Sequence, residues 1–235
     1  STPMLRQFQN HRRNIDLMRI FSAVLILMAL AVFAGAQTFY GSTDRRVFRD
    51  GRDKEFRDKS ESPLTEADFT AFKGLEYFPV NRKFRVNALF ARTKDEKYFQ
   101  MPTSSGVTKK FIKFGVLKFK LNGREQSLSV YQIDPEIGAK FPEYADLLFV
   151  PFRDLTSGKE TYGVGRYIDI KAPKGKTVTL DFNVAYNPNC AYGSDKYSCP
   201  IPPKENFLRV EIKAGEKNYH HSPQRTEGDG FDKKR

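Results

Sequence analysis

Two cysteines and three histidines are all that 235 residues offer to thiol or soft-metal chemistry, and each shortage excludes something. Zinc needs four ligands held in place, yet beyond Cys190 and Cys199 the only soft candidates after the amino-terminal region are His220 and His221, in a polar tail. No histidine falls between His11 and His220, so the body of the chain lacks the commonest neutral-pH general base. Phosphate-binding glycine loops, Walker sequences, zinc helices, serine elbows and internal repeats are also missing. No block of Lys and Arg is long enough for a nucleic-acid arm. The expectation is no metal, no cofactor and no nucleic-acid partner.

One long apolar run is present, IFSAVLILMALAVFAGA at 20–36, preceded by Met18 and Arg19 and ending in Ala34, Gly35 and Ala36. A charged start, an apolar centre and a small-residue end form a secretory signal peptide. An uncleaved anchor, with Arg12, Arg13 and Arg19 on the cytoplasmic side, is the competing reading. Either way the domain is expected to be exported, in the periplasm or cell envelope, with transient or permanent membrane association through residues 20–36. The formal charge is +12; removing the four Arg and one Asp of the first 36 residues leaves +9. This excess favours a polar or anionic ligand, or an envelope protein, over a cationic one.

Four segments follow from composition. Residues 1–36 are the signal or anchor with an upstream extension, and 37–62 a charged segment. Residues 63–217 form a single domain, and 218–235 a polar tail expected to be disordered. In the charged segment, Val47, Phe48 and Phe56 allow only a narrow apolar stripe, which predicts one exposed helix docking lightly. Thr65 and Asp68 then mark a helix start, with Thr65 capping the first amides and Phe69 and Phe72 turned to the core. Beyond them the runs FRVNALFAR, KFIKFGVLKFKLN, GREQSLSVYQI, LLFVPFRD, YGVGRYIDI, TVTLDFNVAY and LRVEIKA are short, β-branched or aromatic, and partly alternating. Asn122 and Gly123 separate two of these runs, and both tolerate the positive φ of a tight hairpin. The fold class is mostly β, an antiparallel β-sandwich or partly open barrel with short N-terminal helices.

The richest chemistry lies in two strings. In PFRDLTSGKETYGVGRYIDI (151–170), Tyr162, Arg166, Tyr167 and Asp169 bring a guanidinium, a carboxylate and two phenols to one strand. Strand alternation puts Tyr162 with Arg166 and Tyr167 with Asp169, so one pair faces a ligand unless a glycine bulge re-aims the chain. The planar fork of Arg166 suits carboxylate or phosphate; its structural alternative is an ion pair with Asp154 or Asp181. The second string, DFNVAYNPNCAYGSDKYSCPIPPKENFLRVEIKAGEK (181–217), holds both cysteines. A Cys190–Cys199 bridge would close its loop and stabilise by roughly 2–3 kcal/mol; free thiols and a metal pair are the alternatives. Asn183, Asn187, Glu205 and Asn206 supply polar groups, which could instead satisfy turns and strand ends. Tyr186, Tyr192 and Tyr197 offer a rigid aromatic floor or rim packing. The predicted ligand-binding set is therefore Tyr162, Arg166, Tyr167, Asp169, Asn183, Tyr186, Asn187, Tyr192, Glu205 and Asn206.

These two strings, and more loosely SPLTEADFTAFKGLEYFPVN upstream, resemble the domain of unknown function 1684 family. The resemblance implies a compact domain ending in the Tyr, Asn and Cys-containing loop, and it brings no reaction, substrate or cofactor. The sequence reads as a binding module. Its alternatives are a hydrolase using an Asp/Glu pair, Asp154 with Glu160 or Asp169 with Glu205, and a structural or assembly subunit of an envelope complex.

Overall fold

A computed structural model describes residues 39–42, 44–136 and 147–220. The apolar run at 20–36 and the tail from 221 lie outside these residues. Among the described residues no helix is long and apolar enough to cross a membrane.

Among the described residues two α-helices precede the sheet: α1 (Arg45–Arg57) and α2 (Glu66–Ala71). Asp44 caps α1 through the amides of Arg46 and Val47. Thr65 caps α2 by accepting from the Asp68 amide, as the sequence predicts. The strands are β1 (Arg85–Arg92), β2 (Phe99–Pro102), β3 (Thr108–Leu121), β4 (Arg124–Ile133), β5 (Leu147–Phe152), β6 (Arg166–Lys171) and β7 (Thr177–Asp181). All seven form one antiparallel sheet curled into a half-barrel, six in the order β6-β5-β4-β3-β1-β7 and β2 beside β3 off that path. Among the described residues there is no second sheet, so the half-open form is the one realised and the sandwich is not. Long β3 serves two neighbours on one edge: residues 108–111 pair with β2 and 115–118 with β1, either side of a register shift between Lys113 and Gly115. At the β3–β4 hairpin Asn122 and Gly123 have φ of 51° and 76°, the twist-compatible tight turn that those residue types specify.

Alternation sorts the strands onto two faces. Leu117, Leu128, Val130, Leu148, Val150, Phe152, Ile168 and Ile170 point into the main core. The opposite positions carry Phe111, Tyr131 and Phe149 in a smaller cluster with Met101, together with Tyr167 and Asp169.

Three expectations need correction. Helix α1 does not dock lightly, because Phe48, Arg52 and Phe56 are buried along one stripe. Arg52, counted as polar in the sequence, completes that stripe because its guanidinium meets Tyr40 Oη, Glu55, the Asn187 carbonyl and Tyr192 Oη. LRVEIKA is not a strand. Leu208, Val210, Ile212 and Ala214 do alternate into the core, but only its first half meets backbone, at Arg153 and Leu155 just past β5, and the carbonyls of Ile212 and Ala214 are bonded by a side chain, described below. The tail is ordered as far as 220: Asn218 donates its amide to the Glu160 carbonyl and Tyr219 packs on Tyr192. Strand β2, short and ending in Pro102, has no clear signal in the sequence.

Candidate functional site

Gly165 sets up the site. Its φ is +123°, and a Cβ there would fall 2.6 Å from the Phe152 carbonyl oxygen, so a glycine is required where β6 begins. Beyond it Arg166 turns inward and is fully buried. Its guanidinium donates to Asp154 Oδ2 at 3.0 Å and to the carbonyls of Ile212 (2.8 Å), Ala214 (2.5 Å) and Glu216 (3.1 Å). Asp154 Oδ1 accepts from the Ile212 amide. This ion pair replaces the missing strand next to 212–216. Both terminal nitrogens of Arg166 are thus engaged and only its buried Nε lacks a partner among the described residues; the side chain does not line the groove, and the Asp154 pairing is its role.

Alternation sends Tyr167 and Asp169 to the other side, where a groove of about 640 Å³ lies between the sheet and the 188–200 loop. Cys190 and Cys199 are joined in a disulfide with a Cα separation of 6.1 Å. The loop is clipped down at its carboxy-terminal end. Tyr167 Oη donates to the Pro200 carbonyl, and the Ser104 and Ile201 amides bond the Cys199 and Pro102 carbonyls. Six aromatic rings line the groove: Phe111, Phe149, Tyr167, Tyr186, Tyr40 and Tyr197. Asp169 is the carboxylate lining it, and Lys109 and Lys196 are its cations.

Tyr186 Oη donates to Asp169 Oδ2 at 2.5 Å; among the described residues Oδ1 accepts no hydrogen bond. Burial raises the Asp169 carboxyl to about 6, while the Tyr186 hydrogen bond and the Arg52 charge pull it down. Burial also raises the phenols of Tyr167 and Tyr186, keeping both protonated, and lowers the Lys109 ammonium.

Of the ten predicted residues, Tyr167, Asp169 and Tyr186 meet at this groove. The other seven are placed elsewhere, and internal partners explain why. Asn183 exchanges hydrogen bonds with the Asn81 backbone. Asn187 donates to Glu216 and to the Lys217 carbonyl. Tyr192 donates to Glu216 and stacks edge-on against Phe56. Asn206 bridges Ser129 of β4 and Pro151 of β5, where the two strands share a single register pair, Tyr131 with Phe149. Glu205 accepts from Tyr131 Oη outside the groove, and Tyr162 packs with Phe56 and Leu64. Arg166 is accounted for above.

Asp181, the other candidate partner of Arg166, pairs instead with Arg45 and Arg85. Among the described residues no three His, Cys, Asp or Glu side chains gather as a metal site. The carboxylates proposed as acid–base pairs have other partners: Asp154 is paired with Arg166 and Glu160 with Lys213, and Glu205 is not among the residues that line the groove with Asp169. Sequence reasoning missed Tyr40, Lys109, Phe111, Phe149 and Lys196. Phe149 had a signal, being aromatic at a strand position that alternation assigns to the face away from the main core, whereas Phe111 reaches that face only through the register shift between Lys113 and Gly115.

The family model described as a protein of unknown function, DUF1684, matches residues 70–217. Among solved structures, the solution NMR structure of an uncharacterised protein of Haloarcula marismortui is 34% identical, with a TM-score of 0.59, over 74% of this chain and 92% of that one. No curated protein matches the chain.

Proposed function

The chain belongs to the DUF1684 family, and we propose that its domain is a binding module whose ligand lies in the groove between β6 and the disulfide-closed loop. One observation carries this: an open groove of about 640 Å³ with aromatic walls and one carboxylate. That size and lining suit a small molecule with an apolar body and a few oriented polar contacts. The disulfide supports an oxidising compartment, and with the apolar run at 20–36 it supports an exported protein. The hydrolase alternative has weaker footing, because the described lining holds one carboxylate and acid–base glycoside chemistry uses two.

Titration of the 15N-labelled protein with hexan-1-ol tests the reading. Saturable shifts are expected at amides of 167–169 and 196–199. Tyr197→Ala, which removes one wall, is expected to weaken the fit about fivefold, equivalent to roughly 1 kcal/mol of aromatic contact. Shifts scattered over the surface, or none at these amides, would remove the groove as a binding site.

A further inference from the structure

We infer that the groove selects an organic ammonium, a cationic nitrogen on an apolar body, with Asp169 and the rings around it as its receptor; this rests on the binding reading above. Asp169 stands opposite Phe149 in the β5–β6 register and two residues from Tyr167 on the same face. The Tyr167 ring is perpendicular to Tyr186, at 89° and 5.7 Å between centroids, and crosses Phe149 at 73° and 4.7 Å. Tyr40 meets Tyr186 edge-on at 5.4 Å. Perpendicular rings present faces and edges on several sides of one point. A ring face is electronegative and attracts a cation, most strongly where water is excluded. The carboxylate adds a full negative charge with Oδ1 unclaimed among the described residues.

Arg52 already shows this preference from the other side, with its guanidinium 5.1 Å from the Tyr186 ring centre. Its charge is shared with Glu55 and Glu216. Lys109 and Lys196, at the same groove, disfavour a second cation on the ligand. They also offer a place for an anion attached to the ammonium. Such a head could come from a free solute or from a lipid headgroup.

Three probes with the same hexyl body separate the terms: hexyltrimethylammonium, hexan-1-ol and hexanoate, each titrated into the whole chain with amide shifts as readout. The ammonium is expected to bind at least about tenfold more tightly than the alcohol, the scale of a desolvated cation–ring contact. Asp169→Asn, which keeps an acceptor for Tyr186, should reduce ammonium affinity about tenfold and leave hexan-1-ol within twofold. Tyr186→Phe, which keeps the ring, should retain most of the preference. In a second comparison, phosphocholine tighter than choline marks a lipid-headgroup source, and choline tighter than phosphocholine a free solute. Equal affinity for the three hexyl probes, or tighter hexanoate, overturns the ammonium inference while leaving the groove reading intact. Absence of groove shifts with all three overturns both.

Discussion

At Asp169 the fold and the groove make opposite demands. Burial raises its carboxyl from 3.8 to about 6 despite the Tyr186 hydrogen bond and the Arg52 charge. The folded protein thus holds this proton more tightly than the unfolded chain does. The resulting stabilisation is full below about 4 and is lost as pH rises through about 6, so at neutral pH the ionised carboxylate weighs against folding. Lys109, Lys196, Tyr40 and Tyr167 share the groove, but all are common to wild type and variant. Asp169→Asn should therefore raise the melting temperature by roughly 2–5 °C at pH 7.5, with the gap closing at pH 4. Thermal unfolding at pH 4, 6 and 7.5 measures this. A gap that is the same at every pH would show that the carboxylate's charge is not what the fold opposes. A charge retained against stability is what a binding contact requires.

The segment 207–216 shows which parts of an element the sequence reveals. Its alternation is visible, and Leu208, Val210, Ile212 and Ala214 are buried as that pattern demands. Its bonding partner is not visible, because nothing local in LRVEIKA says that its carbonyls will meet a guanidinium from β6 instead of a strand. The hairpin at Asn122 and Gly123 and the cap at Thr65 were legible for the opposite reason, since both are set by residues within three positions. An ordinary buried ion pair can often be exchanged for apolar residues with little loss, and here that should fail. Arg166→Met alone is expected to cost about 3–5 kcal/mol by leaving Asp154 charged and unpaired. Adding Asp154→Leu removes that charge but leaves the carbonyls of 212, 214 and 216 and the Ile212 amide without these partners, each worth about 1–3 kcal/mol if buried and unsatisfied. Urea unfolding should find the double variant nearly as unstable as the single one. Recovery to wild-type stability would show that the pair acts only through its own charges.

Across the whole molecule, the groove draws on Tyr40, on β3 to β6 and on the loop at 188–200, so its composition depends on topology that no window of sequence contains. Alternation gives the face of Tyr167 and Asp169, but not that the disulfide loop stands off that face and leaves a gap. The amino-terminal boundary was hidden in the same way. The family model begins at residue 70, and the composition of 37–62 suggests a solvated helix, yet α1 is part of the core. Phe48 belongs to the main cluster and Phe56 to the cluster holding Tyr192. Arg52 lies between them, 3.8 Å from Glu216, which is itself held by Tyr192 and Asn187. A chain cut to 63–220 loses three buried phenylalanines, Phe39, Phe48 and Phe56, each worth about 1.5–3 kcal/mol. It also strands Glu216 without its cation, a loss of about 3–5 kcal/mol for a broken buried pair. Together these rival the whole net stability of a domain, about 5–15 kcal/mol. The 63–220 chain should therefore show no cooperative thermal transition and collapsed amide dispersion, whereas 39–220 should melt in one step. A dispersed spectrum from 63–220 would mean that α1 is an accessory to the sheet and that the Arg52–Glu216 contact does not hold the carboxy-terminal segment in place.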